Sequence, residues 1–268
     1  GLAATIIHKK APDSVMIVMT ADHVIEPASL FVKMAETAMN IAGKNNSLLT
    51  MGIKPTEPSV SYGYIHRGTR ILEENGFNVY EVESFKEKPD KTTAQRFINT
   101  GEYYWNGGVF VWQTAKILEC LTKYTPNLSL GLQKIGAALG TELEWTTVEK
   151  EYQAFEKISI DYAVMEKAKA VVVIEVDFTW DDVGSWFAIE RWNKKDNLGN
   201  TVLGMHYGMD TNSCIIVNNE QHLITTIGVS DMIIVHTKDA TLICHKQKAE
   251  QIKKLVEELK QAGHQSYL

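Results

Sequence analysis

The chain has 268 residues, 44% hydrophobic and 22% charged, ordinary proportions for a folded protein that exclude a mainly disordered or fibrous one. Lysine and arginine total 27 against 33 aspartate and glutamate, a net charge of −6, so no global cationic field attracts nucleic acid or anionic lipid. The cysteines at 120, 214 and 244 form no CxxC pair and no apolar run approaches ~18 residues, which argues against a disulfide framework, a zinc knuckle and a membrane span, and for a cytoplasmic setting.

Residues Gly1 to Ile7 carry no initiator Met and no basic leader and read as the middle of a helix, so the chain is expected to start inside a longer protein. Residues 15–20 (VMIVMT) predict a strand that ends at Ala21-Asp22-His23, and an amphipathic helix follows from about Ala28 to Ala42. A second strand, Ser47 to Ile53, breaks at Lys54-Pro55-Thr56-Glu57-Pro58, and extended segments follow near 63–67, 79–86 and 103–112. From Thr114 to about Lys167 the pattern is mostly helical, with a stop at Thr125-Pro126-Asn127. The run Ala170 to Val176 (AVVVIEV) predicts a buried strand before Asp177-Phe178-Thr179-Trp180-Asp181-Asp182. β-Branched runs alternating with helices imply an α/β fold with a mixed, mainly parallel sheet covered on both faces. After Asn200, short strands at 214–217, 222–226, 231–236 and 240–244 suggest a small β-rich unit, and the stripe Ile252, Leu255, Val256 and Leu259 reads as a packed terminal helix. The expected domains are 1–195 and 196–268.

Ligands of open α/β sheets bind beyond the carboxyl ends of strands, so Asp22 and one of Asp181 and Asp182 could share a divalent cation there. Taken alone, each aspartate also reads as a turn or cap residue, and spacing does not separate Asp181 from Asp182. Ser84-Phe85-Lys86-Glu87-Lys88-Pro89 sets a cation beside an anion, able to meet a phosphate and sugar hydroxyls, or simply a solvated run before a turn. Trp105-Asn106-Gly107-Gly108 places an amide and two glycines in an aromatic strand, the mark of a bulge or of a ligand lying close; Tyr62-Gly63-Tyr64 invites the same reading. The eight histidines form no HxH or HExxH, and no GxSxG elbow or Walker loop is present.

Taken together, ADHVI (21–25), GIKPTEPSVSYGYI (52–65), FKEKPD (85–90), YWNGGVFVW (104–112), SIDYAVMEK (159–167) and FTWDDVGSW (178–186) resemble, in that order, the mannose-1-phosphate guanylyltransferases. The likeness continues through residues 217–246, and WNGG with SIDYAVME favours the mannose branch. The resemblance implies a Rossmann-like nucleotidyltransferase domain with a short left-handed β-helix-like tail and terminal helix, joining GTP and mannose 1-phosphate into GDP-mannose and pyrophosphate. It assigns Mg²⁺ to Asp22 and Asp182, the sugar phosphate to Lys88, and the mannose to Glu87, Gly63 and Asn106, with Asp161 supporting that side. Asp22 and Lys88 would be the catalytic pair, and a homodimer is the expected assembly. The family's glycine-rich LAGGxGxRLxPLS loop and its PKQ segment do not occur in these residues, and Thr20-Ala21 replaces the usual Pro-Ala. On that ground the 268 residues alone are expected to show little synthesis. A catalytically silent regulatory or assembly subunit and a pyrophosphorylase for another sugar are the competing expectations.

Overall fold

The computed structural model describes residues 1–219 and 221–267, which divide into two compact units, Gly1–Trp180 and Asp181–Leu268. The division falls earlier than the change of texture near Asn200.

The first unit opens with α1 (Leu2–Lys10), β1 (Val15–Val18), β2 (Val24–Glu26), α2 (Ala28–Asn45) and β3 (Leu48–Ile53). It continues with β4 (Tyr64–Glu74), β5 (Phe77–Lys86), α3 (Lys91–Thr100), β6 (Tyr103–Gln113), α4 (Thr114–Tyr124), α5 (Pro126–Ala138) and α6 (Glu144–Gln153). A π-helical turn (Asp161–Met165) leads to β7 (Val171–Val176) and β8 (Thr179–Asp181). The six-stranded sheet runs β1-β6-β3-β7-β5-β4, and β4 also pairs with β6. VMIVMT and AVVVIEV therefore share a sheet, as the β-branched runs predict.

The sheet is mixed, but it is not mainly parallel in its pairing. Strands β1, β3, β4 and β7 run one way while β5 and β6 run against them, so β3–β7 is the one parallel pair among the described residues of this sheet. The reason is connectivity: β6 enters between β1 and β3, and β4–β5 is a hairpin laid along β7. That hairpin turns at Asn75-Gly76, both with positive φ (55° and 85°), and it makes β4 longer than the extended segment expected near 63–67.

Helices cover both faces. Met34, Ala38, Ile41 and Ala42 repeat at helical spacing and bury one face of α2 against Leu49, Met51 and Ile53 of β3. Leu48, Phe110, Trp112 and Val171 point the other way, onto Ala4 of α1, Ile117 and Leu121 of α4 and Leu132 of α5. Strand alternation thus sends successive β3 residues into two cores, and all six of its residues are buried.

The second unit contains α7 (Trp186–Trp192), β9 (Thr201–Leu203), β10 (His206–Met209), β11 (Ile215–Asn218), β12 (Ile224–Ile227), β13 (Met232–His236), β14 (Thr241–His245) and α8 (Ile252–Gln261). Parallel ladders β9–β11–β13 and β10–β12 make it coil-like, and β14 closes it antiparallel to β13. Helix α8 is not the packed cap its stripe suggests. Ile252, Val256 and Leu259 are only half-buried and Leu255 is 44% exposed, because Ile215, Val217, Ile233 and Val235 close that core with Trp186, Leu203 and Leu242.

Gly52 sets the closeness of the central strands: a Cβ there would lie 2.5 Å from Val173 Cγ2 and 3.0 Å from Tyr104 Cβ. Gly52→Ala is therefore expected to lower stability by about 1–3 kcal/mol through overpacking, read as a shift in the urea midpoint. An unchanged midpoint would refute this packing.

Candidate active site

Strand β6 is apolar except at its middle, where Asn106 stands between Trp105 and two glycines. Its backbone N–H donates to the Gly63 carbonyl (2.8 Å), so the loop after β3 is fastened to β6 at this residue. The Asn106 Nδ2 donates to Asp161 Oδ1 (2.8 Å), and its Oδ1 accepts the Gly108 N–H at 3.3 Å. These partners fix which way the amide points. Tyr64, fully buried, donates its O–H to the Ser59 carbonyl (2.9 Å) and holds the proline loop that presents Gly63.

Glu87 reaches the same place. A Cβ built on Gly63 would lie 2.5 Å from Glu87 Oε2 and 3.6 Å from Asn106 Cβ, so the missing side chain at 63 is what leaves room for the carboxylate. Lys88 follows with its Nζ 3.7 Å from Glu87 Oε1 and its side chain 65% exposed. Its φ of 40° is a left-handed conformation that a lysine before a proline rarely adopts, and it marks a strained turn between β5 and α3. Asp90 ends that turn by capping α3, accepting the Thr93 N–H at 2.9 Å.

Glu166 belongs to this cluster although the sequence singles out only Asp161 in SIDYAVMEK. The Glu166 N–H donates to the Asp161 carbonyl (3.0 Å), the i to i+5 bond of a π turn, which sets the two acids side by side. Burial pushes the Glu166 carboxyl up, and the charges of Asp161 and Glu87 add to the shift. Gly63, Glu87, Asn106 and Asp161 thus converge, with Lys88 at the rim.

Asp22 is exposed on the turn after β1, and the neighbouring His23 is held by Trp180. The Trp180 Nε1–H donates to His23 Nδ1 (3.1 Å), which places the imidazole proton on Nε2. Gly108 of β6, with φ of 66°, would put a Cβ 3.7 Å from His23 Cε1. Trp180 also stands edge-to-face with Tyr62 (5.2 Å), which stands against Trp105 (4.9 Å). A crevice of about 500 Å³ opens at the carboxyl ends of β3 and β7, walled by Lys54, Trp105, Phe178 and Trp180.

In the second unit, Asp181 and Asp182 differ in a way their spacing hides. Asp181 is buried; its Oδ2 accepts Arg191 Nε (2.5 Å) and Trp192 Nε1 (2.9 Å), and its Oδ1 accepts Arg191 Nη2 (2.8 Å) and the Val183 N–H (2.9 Å). A carboxylate offers about four acceptor sites, and all are used. Burial alone would raise its pKa, but Arg191, Val183 and Trp192 together hold it below the usual carboxylate range. Asp182 is half-buried and accepts the Gly184 N–H (3.2 Å). No group of three or more His, Cys, Asp or Glu among the described residues has the arrangement of a metal site.

The sheet gathers polar and glycine-bearing loops at the ends of β1, β3 and β7, beside the crevice, and the comparisons place this arrangement in a family of nucleotidyl transferases. The pattern of the Nucleotidyl transferase family matches residues 2–198, and that of the MannoseP isomerase/GMP-like beta-helix domain matches residues 204–259. The chain belongs to the nucleotidyl transferase family. It is 36% identical over its whole length to the mannose-1-phosphate guanylyltransferase of Escherichia coli strain K12, covering 56% of that protein. It is 34% identical over 98% of its length to the xanthan biosynthesis protein XanB of Xanthomonas campestris, covering 55% of it. A crystal structure from Thermus thermophilus, described as a mannose-1-phosphate geranyltransferase, superposes with a TM-score of 0.81 at 33% identity, covering 97% of this chain and 73% of that one. The chain spans about half the length of the curated relatives it matches. No helix among the described residues is long and apolar enough to cross a membrane.

Asp181→Asn is expected to lower stability by about 1.5–3 kcal/mol in urea unfolding, and Asp182→Asn by much less. The Asp181 contribution is present above the unfolded carboxylate value of about 4 and is lost as pH falls through the depressed folded value. Equal destabilisation by both substitutions would refute the structural assignment of Asp181.

Proposed function

We propose that the protein is a mannose-1-phosphate guanylyltransferase, forming GDP-mannose and pyrophosphate from GTP and mannose 1-phosphate. The convergence of Gly63, Glu87, Asn106 and Asp161 carries the proposal, supported by relatives of that name matching the whole chain. In this reading Glu87 and the Asn106 amide orient sugar hydroxyls, and Asp161 holds the amide in place. Lys88 neutralises the sugar phosphate; its exposed pair with Glu87 is worth less than about 1 kcal/mol, so the ammonium is easily drawn to an anion. An oxygen of that phosphate attacks the α-phosphorus of GTP in line and pyrophosphate leaves, with rate coming from positioning and charge neutralisation.

In the same reading a divalent cation, Mg²⁺, is assigned to Asp22 and Asp182. Both are hard oxygen donors, the kind of ligand Mg²⁺ takes. When bound, Mg²⁺ supplies charge neutralisation between phosphoryl groups. Within this proposal the catalytic domain ends near residue 195, the β-rich domain spans 196–268, and the protein acts as a cytoplasmic homodimer.

The test is pyrophosphate release by the full-length protein with GTP, Mg²⁺ and either mannose 1-phosphate or glucose 1-phosphate. A preference for glucose 1-phosphate, or no release with either, would overturn the reading. Gly63→Ala should leave folding intact, since the new methyl clashes only with the end of the flexible Glu87 side chain and meets Asn106 Cβ at an ordinary 3.6 Å. It should raise KM for the sugar phosphate about tenfold or more, as expected when a binding carboxylate is displaced.

A further inference from the structure

We infer that Trp180 is a positioning residue that holds the Asp22 turn and the Gly63 loop in one arrangement, each through a different part of its indole. The inference rests on the roles proposed for Asp22 and Gly63.

The indole makes two separable contacts. Its Nε1–H donates to His23 Nδ1 at 3.1 Å with the rings nearly perpendicular (87°), and His23 is the residue after Asp22. Its ring stands 5.2 Å from the ring of Tyr62, the residue before Gly63. The Tyr62 contact has a backstop on β6, where Trp105 faces Tyr62 at 4.9 Å. Neither loop carries regular structure of its own beside the site. Asp22 lies on a bend between β1 and β2, and Tyr62 and Gly63 end the proline loop before β4. The hydrogen bond fixes the imidazole only while Nδ1 accepts, so the N–H matters as well as the ring. A phenylalanine at 180 would keep the aromatic wall for Tyr62 and lose the bond to His23. A leucine would lose both.

This separation makes the role measurable. In steady-state kinetics of the full-length protein, Trp180→Phe should lower kcat about tenfold with little change in KM for mannose 1-phosphate, the scale expected for a small misplacement of a reacting group. Trp180→Leu should also raise that KM. His23→Ala should resemble Trp180→Phe, and combining the two should add little, because both remove one bond. Backbone order parameters give a readout independent of turnover. Residues 21–24 should fall from about 0.85 to below about 0.6 in both Trp180 variants, whereas 61–63 should do so only in Trp180→Leu. Order parameters unchanged at both loops, or lowered throughout the chain, would overturn the inference. If the wild-type protein shows no turnover, the proposed function fails and the order parameters alone decide the role of Trp180.

Discussion

A side chain at position 107 would have to push aside the ends of two buried side chains. A Cβ there would lie 2.4 Å from Met51 Cε and 2.8 Å from Ile53 Cδ1, and the next residue, Gly108, takes a φ of 66°. At this point the register between β3 and β6 shifts: Thr50 opposes Phe110 while Gly52 opposes Asn106. The irregularity bends β6 where it is hemmed in by apolar residues, and it delivers one amide to the side of the sheet carrying the π turn. Gly63 is fastened to that amide's backbone, Asp161 to its side chain, and His23 lies over Gly108. A local packing constraint thereby sets the places of residues far apart in the sequence.

The polar cluster built on this bend carries three acids, Glu87, Asp161 and Glu166, with Lys88 as its adjacent cation. Burial makes ionisation harder for Glu166, and the nearby charges of Asp161 and Glu87 add to it, so its carboxyl is raised. Such a cluster accepts hydrogen bonds from several hydroxyls at once, while the lysine at its rim meets a negative group outside. A sugar phosphate has that division of chemistry within one molecule.

Much of the fold was legible because its central strands announce themselves. VMIVMT, SLLTMGI and AVVVIEV are apolar, β-rich and bounded by turns, and they form β1, β3 and β7. The hairpin arm was less legible: HRGTRILEE carries charges along its length, so its extension beyond residue 67 has no hydrophobic signature, and the turn at Asn75-Gly76 went unread without it. Strand direction was not legible either, since a buried strand looks alike whether its neighbour runs with or against it. Asn106, Gly63 and Glu87 stood out as polar or glycine residues in aromatic or charged surroundings. Glu166 did not, because the i to i+5 repeat of a π turn lies outside the helical and strand periods used to place side chains together. The α8 stripe is amphipathic in sequence and in structure, but periodicity does not report whether anything covers it.

The structure adds a distinction among acids that sequence could not make, namely whether their lone pairs are already taken. Glu175 interrupts the apolar run of β7 and could pass for a catalytic acid. Its two oxygens accept the Tyr104 O–H and the Asn78 amide, and burial followed by this bond raises the Tyr104 phenol well above its ordinary value. Asp181 is likewise filled by Arg191, Trp192 and Val183. Removing such a carboxylate from its partners would expose buried donors, so these acids stabilise the fold and have little capacity left for a ligand. Asp22 is the opposite case: exposed on its turn, it makes no side-chain hydrogen bond or ion pair among the described residues. A carboxylate kept free of partners, beside a histidine that Trp180 holds, has its position set by its neighbour while its own oxygens stay open to a ligand.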